Sequence, residues 1–315
     1  MKISVIGAAG CIGSSIAFCI ADRGLADELV MADIRQDWLE HHAIDVYDAA
    51  TVKNIEINVR MGRHADIAGS DIVIMAAGAR AAARATTDNV RPSSRQRLLP
   101  ENLEIIKEWA QTINRYCPQA IVITATNPAE VLNYANYRLS STGERSRFIG
   151  YSLNDTTRFR IATARLKGIS PAKVDAMVMG EHGGSMVSLF SSVRVDGKPV
   201  IFTRTEQARI LEKTNDYLPH MLRLNVPRTS GWLTGVGIAK LVNAIINDTG
   251  EVIPCCAVLD GEYGYKDISI GVPVKLGRQG ISEIIKYELP AEEKELLDVS
   301  VKNIQPSIDY VKQKI

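Results

Sequence analysis

A chain of 315 residues with 46% hydrophobic content can bury a large core, and its length favours two domains over one. Its 37 basic residues stand against 36 acidic ones, a net charge of +1, which excludes a global pull toward nucleic acid or a membrane surface. Apart from one N-terminal segment, no apolar stretch approaches the roughly 20 residues of a membrane span.

That segment is an uncharged run from Ile3 to Ala21, directly after Lys2. Gly7, Gly10 and Gly13 interrupt it, and a second strand-like run follows at the distance a βαβ unit requires, so it reads as structure and not as a signal peptide. Short apolar runs at residues 3–6, 28–32, 57–61, 71–76 and 120–124 alternate with helical patterns. Such alternation predicts a doubly wound parallel sheet with helices on both faces. Before the last of these runs, Leu103, Ile106, Ala110 and Ile113 mark one helical face, and Pro100 stands where a first turn tolerates it. A polar, arginine-rich connection from Ala79 to about Arg97 precedes that helix, and connections of this length are often active-site lids.

Beyond residue 147 the pattern changes. A helix is predicted over 154–166, strands over 174–179 and 187–195, a helix from about Thr205 and another over 237–247. Strands over 252–259 and 269–275 and an amphipathic helix after Pro290 follow. The expected organisation is a dinucleotide-binding domain over 1–147 and an α+β substrate domain over 148–315, with no flexible linker between them.

Two motifs carry chemistry. Gly7-Ala8-Ala9-Gly10-Cys11-Ile12-Gly13 follows a strand and opens a helix, a glycine fingerprint whose backbone can approach a pyrophosphate at a helix start. Small residues also serve plain helix packing, but Asp33 ends the second strand about 20 residues on, where an acid bonds the ribose hydroxyls and repels a 2′-phosphate. NAD is therefore expected over NADP, although Arg35 lies close by. Further on, Gly180-Glu181-His182-Gly183-Gly184-Ser185 follows an apolar strand, and a histidine can take the proton that alcohol oxidation releases. A lone histidine is more often structural. Asp155 and Arg158 stand three apart on one predicted helix face, where the plain alternative is a surface ion pair.

Taken in order, these elements, together with Arg95-Gln96-Arg97-Leu98-Leu99-Pro100-Glu101-Asn102 and Thr126-Asn127-Pro128, resemble the lactate/malate dehydrogenase superfamily over nearly the whole chain. The resemblance implies that His182 is the acid/base and Asp155 the carboxylate that orients it. It implies that Arg158 anchors the substrate carboxylate, that Arg95 polarises the reacting carbonyl and that Asn127 contacts substrate and nicotinamide. Asn102 and the backbone of Ala125, Thr126 and Asn127 would assist the cofactor. The implied reaction is hydride transfer between NAD and a small 2-hydroxy or 2-oxo acid, without a metal ion, in a homodimer or homotetramer. The five cysteines show no CxxC spacing and suit reduced thiols in the cytoplasm.

The chain also departs from the family. The loop from Gly78 to Arg95 carries an insertion of about eight residues, long by ordinary loop statistics. Asn89 occupies the position at which malate dehydrogenases carry a second arginine, so Arg80, Arg84 and Arg91 become candidates for the far end of the substrate, with Arg91 preferred for its proximity to Arg95. Gly184 replaces the family's usual aspartate, and small residues at Thr229, Ser230 and Gly231 either open a pocket floor or only pack the next helix. Alternatives are a branched-chain 2-hydroxy acid dehydrogenase, whose loop is also long, and a catalytically silent NAD-binding protein.

Overall fold

The computed structural model describes residues 1–79, 96–224 and 230–315. In its first half the apolar runs form β1 (Lys2–Ile6), β2 (Glu28–Ala32), β3 (Asn58–Met61), β4 (Ile72–Met75), β5 (Ile121–Thr124) and β6 (Phe148–Tyr151). These strands lie parallel in the order β3-β2-β1-β4-β5-β6. Their crossovers include α1 (Cys11–Asp22), α2 (Gln36–Val52), α3 (Leu99–Tyr116) and α4 (Ala129–Leu139). Every residue of β4 and β5 is buried, as expected of strands covered on both faces, which read as unbroken apolar runs. Strands β1 and β4 are neighbours in the sheet but not in the chain, and this switch point opens a crevice at their carboxyl ends.

The second half supplies α5 (Leu153–Lys167), β7 (Val174–Met179), β8 (Val187–Val195), β9 (Lys198–Pro199), α6 (Arg204–Asn215) and α7 (Tyr217–Arg223). It continues with α8 (Gly231–Asn247), β10 (Val252–Asp260), β11 (Lys266–Gly277), β12 (Gly280–Ile284) and α9 (Ala291–Lys314). Strands β7, β8 and β9 form a small antiparallel sheet, and Phe190 joins Phe159 of α5 to Phe202 edge-on beneath it. Strands β10 to β12 instead extend the main sheet to nine strands, β10 lying antiparallel to β6. The change of pattern near residue 147 is therefore not a break in the sheet. Gly150 permits the join, because a Cβ there would stand 2.6 Å from that of Cys256.

Of the elements without a counterpart in the sequence patterns, two lie next to the site. Helix α4 buries every residue from Ala129 to Asn136, the polar Glu130, Asn133 and Asn136 included, so over that span it has no solvent-facing side of the kind an amphipathic surface helix shows. Strand β6 is Phe-Ile-Gly-Tyr, whose glycine interrupts the apolar run, unlike the equally short β4 and β5. Both position the site: α4 starts beside it, and β6 leads into α5.

Candidate active site

The glycine fingerprint closes the crevice at the β1/β4 switch point. Gly7 has φ +87°, and a Cβ there would lie 2.4 Å from the backbone nitrogen of Ala77, beyond β4; only glycine lets the two loops meet. Gly13 turns under Gly7, whose carbonyl oxygen stands 2.2 Å from where a Cβ would be. Gly10 precedes α1 without a side-chain cap hydrogen bond, and the N–H groups of a helix start favour an anion. Asp33, one residue past β2, accepts from the backbone N–H of Ala9 at 3.0 Å and of Arg35 at 2.9 Å, tying the glycine loop to the end of β2. These residues fit a dinucleotide: a close backbone approach at the glycines, donors at a helix start and a carboxylate at the ribose position.

Across the crevice, buried Asn102 of α3 accepts from the N–H of Ala79 at 2.7 Å and donates to the carbonyl of Asn127 at 2.7 Å. It thereby links the segment after β4 to the segment after β5. The Thr126 hydroxyl donates to the Ala77 carbonyl at 2.6 Å and reinforces that link. The Asn127–Pro128 peptide is cis.

The second group of predicted residues converges from β7 and α5. His182 follows β7, and its Nδ1 is hydrogen-bonded to Asp155 Oδ2. The other oxygen of Asp155 accepts from Arg158 Nη1 at 2.9 Å. The pair on α5 is no surface ion pair, since the Asp155 and Arg158 side chains are only 6% and 12% exposed. One carboxylate thus orders an imidazole and a guanidinium together. It leaves Nε2 on the side of the ring opposite Asp155, and buried Nε of Arg158 has no hydrogen-bond partner among the described residues. Such a set can move a proton at Nε2 and bind an anion at the guanidinium.

The loop that carries His182 owes its path to the glycines. Gly180 exchanges two backbone hydrogen bonds of 2.9 Å with Gly271 of β11, and Ser300 of α9 accepts from the N–H of Glu181 at 2.8 Å. Gly183 leaves room for the Glu181 carboxylate, which accepts from the backbone N–H and hydroxyl of Ser185. Buried Glu130, in the first turn of α4, accepts from the backbone N–H of His182 at 3.2 Å. Burial, with the Glu130 carboxylate acting next, holds the Cys256 thiol well above its ordinary value.

Two contributors have no sequence motif. Glu130 is signalled only by an acid directly after Asn-Pro-Ala, and Tyr217 of α7, whose ring lies against Arg158, by nothing local. Gly231 does the plain packing job, because a Cβ there would stand 2.8 Å from the Cys11 carbonyl at the start of α1. Arg80, Arg84, Asn89, Arg91, Arg95 and Thr229 lie outside the described residues.

A glycine-lined crevice at the switch point, facing a buried His-Asp-Arg set, defines a dinucleotide-dependent oxidoreductase fold with its reacting groups in a second half. The family model for the lactate/malate dehydrogenase NAD binding domain matches residues 1–150, and that for the lactate/malate dehydrogenase alpha/beta C-terminal domain matches residues 153–315. The chain belongs to the lactate/malate dehydrogenase superfamily and is an NAD-dependent 2-hydroxy acid dehydrogenase acting on a CH–OH group. It is 34% identical to malate dehydrogenase of Halobacterium salinarum, over 98% of this chain and 99% of that one. It is 33% identical to L-lactate dehydrogenase 2 of Enterococcus faecalis, over 96% and 95%. Among solved structures, lactate dehydrogenase of Cryptosporidium parvum complexed with lactic acid and nicotinamide adenine dinucleotide superposes with a TM-score of 0.89 at 29% identity, covering 99% of this chain and 98% of that one.

Proposed function

We propose that the chain interconverts a dicarboxylic 2-hydroxy acid of the malate type and its 2-oxo acid. In this reading His182 is the acid/base, Asp155 orients its imidazole and Arg158 anchors the substrate carboxylate. The observation that carries these three roles is the single buried carboxylate shared by His182 and Arg158, which couples the proton-transfer position to the anion-binding position. In oxidation, Nε2 of His182 takes the hydroxyl proton as the hydride leaves C2, and Asp155 stabilises the resulting imidazolium. Bound NAD+ supplies the hydride-accepting ring carbon. Gly7, Ala8, Ala9, Gly10, Cys11, Ile12 and Gly13 hold the pyrophosphate through their backbone, Asp33 takes the ribose, and Asn102 with the Ala125–Thr126–Asn127 backbone lines the nicotinamide side. Asn127 also meets the substrate. In reduction, Arg95 polarises the carbonyl and His182 returns the proton.

We assign dicarboxylate preference to Arg91, four residues before Arg95 in the sequence, as the partner of the second carboxylate. Relatives named malate dehydrogenase support this reading, while the lactate relative makes the monocarboxylic acid its rival. We further propose a cofactor part over 1–147 and a substrate part over 148–315, a cytoplasmic location suited to five cysteines without a disulfide, and a homo-oligomer. Among the described residues, no helix is long and apolar enough to cross a membrane.

The test follows nicotinamide absorbance over a panel of dicarboxylic, monocarboxylic and branched-chain 2-oxo acids, for the wild type and His182→Gln. The expected outcome is the highest kcat/KM on the dicarboxylic acid, and loss of turnover with NADH binding retained in the variant. Preference for an apolar 2-oxo acid would transfer the reading to the branched-chain class, and near-normal turnover in the variant would remove His182 from the chemistry.

A further inference from the structure

Arg158 is held by more than Asp155. The ring of Tyr217 lies 3.7 Å from the guanidinium carbon, so it covers one face of the guanidinium at contact distance. The Tyr217 hydroxyl shares a 2.5 Å hydrogen bond with Ser230, the residue that precedes α8. The ring is therefore anchored at both ends, by α7 through the backbone and by Ser230 through its hydroxyl.

The physical consequence lies in the degrees of freedom that remain to the guanidinium. A single hydrogen bond from Nη1 to Asp155 fixes a distance but still permits rotation of the plane about that bond. An aromatic face adds the missing planar restraint. It does so without a competing negative charge: a second carboxylate here would consume the donors, whereas a π face attracts the cation and leaves its N–H edge in plane for a ligand. Among the described residues the buried Nε has no hydrogen-bond partner, so these residues do not engage all the donors. Bidentate recognition of a carboxylate depends on that plane, since both N–H bonds must point at both oxygens at once.

We propose that Tyr217 is a positioning residue for the substrate carboxylate, setting the plane of Arg158 through its ring and holding that ring in place through Ser230. The inference rests on the reading of Arg158 as the carboxylate anchor. It assigns specificity for the carboxylate end of the substrate to α7 as well as to α5, so binding of a 2-oxo acid should depend on an aromatic ring at position 217.

The test compares Tyr217→Leu, which removes the face, with Tyr217→Phe, which keeps the face and loses the hydroxyl. Oxamate, an unreactive 2-oxo acid analogue, is titrated into the enzyme–NADH complex and read by nicotinamide fluorescence, alongside KM for the 2-oxo acid, KM for NADH and Tm. Tyr217→Leu is expected to weaken oxamate and raise the 2-oxo acid KM about tenfold, the scale of a desolvated cation–π contact, with NADH KM and Tm little changed. Tyr217→Phe is expected to recover most of that loss, retaining roughly a two- to threefold weakening from the lost hydroxyl tie. Equal weakening in both variants would overturn the role of the ring, and so would unaltered oxamate affinity in Tyr217→Leu. Should Tyr217→Leu fail to fold, Ser230→Ala reads the same device, because it frees the ring without removing it; unchanged oxamate affinity there and in Tyr217→Phe would overturn the proposal. A wild type that binds no oxamate and reduces no 2-oxo acid would instead remove the underlying reading of Arg158.

Discussion

Asp33 has two jobs that one substitution separates. Its carboxylate holds the glycine loop through the N–H of Ala9, and its negative charge stands where the adenosine ribose of the cofactor is expected. Asp33→Asn keeps an amide oxygen able to accept from the loop but removes the charge. The expected outcome is a preference for NADH over NADPH that narrows by roughly tenfold or more, because the repulsion of a 2′-phosphate disappears. The measurement is kcat/KM with each coenzyme, and an unchanged ratio would show that shape rather than charge sets the preference. Gly7, Gly13, Asp33, Asp155, Arg158 and His182 were all legible as candidates, because each either belongs to a spaced motif or bears a side chain whose chemistry is specific. Glu130 and Tyr217 were not. Their contribution is a contact with a residue far away in the chain, 52 positions for Glu130 with His182, and nothing in the neighbouring sequence marks it.

Elements show how the two halves hold together. Arg145, in the turn before β6, donates to both oxygens of Glu262 at 2.8 and 3.2 Å and to the Val258 carbonyl at 2.8 Å, clamping the β10–β11 turn onto the end of the parallel sheet. Burial works against the charged form of Glu262. The Arg145 hydrogen bonds and backbone N–H groups outweigh it and hold the carboxyl down to about 2, against an ordinary value of 4.5. A group depressed in the folded state stabilises above its unfolded pKa and loses that effect as the pH falls toward its folded pKa. Glu262→Gln should therefore lower Tm by roughly 2 to 4 °C at pH 7, and the gap should shrink as the pH drops from about 4.5 toward 2. Thermal unfolding of both proteins at pH 7 and pH 3.5 checks this, and a gap that stays constant would mean the loss comes from packing. A contact of this kind is invisible to periodicity, which detects faces and not partners.

The whole molecule leaves apolar surface on connected helices. Helix α1 packs against both α2 and α8, and these helices expose Phe18, Ile44, Tyr47 and Val236 by 45 to 57%. Apolar side chains in this number on adjoining helices suit burial against a second copy of the chain. The wild type is expected at no less than twice the 34.5 kDa chain mass in light scattering after size exclusion, and Phe18→Asp should release monomer. A wild type already at 34.5 kDa would dismiss the oligomer, and an unmoved mass in the variant would exclude Phe18 from its interface. The glycines of α8 also bear on this scale. Gly231 and Gly235 meet α1 so closely that a Cβ would stand 2.8 and 2.6 Å from its backbone, which seats the cofactor helix directly on the second half.

Read alone, the chain was sufficient for the first five parallel strands, the glycine turn, the histidine loop and the kind of chemistry they serve. Those features depend on short-range rules, in which backbone freedom, periodicity and side-chain reactivity are properties of a few adjacent residues. The fold was needed to show that β10 to β12 complete the first sheet, that Asp155 is buried between His182 and Arg158, and that Tyr217 covers the guanidinium. These are long-range pairings, set by which surfaces meet once the chain has collapsed, and many sequences with the same local pattern would satisfy each half without bringing those partners together.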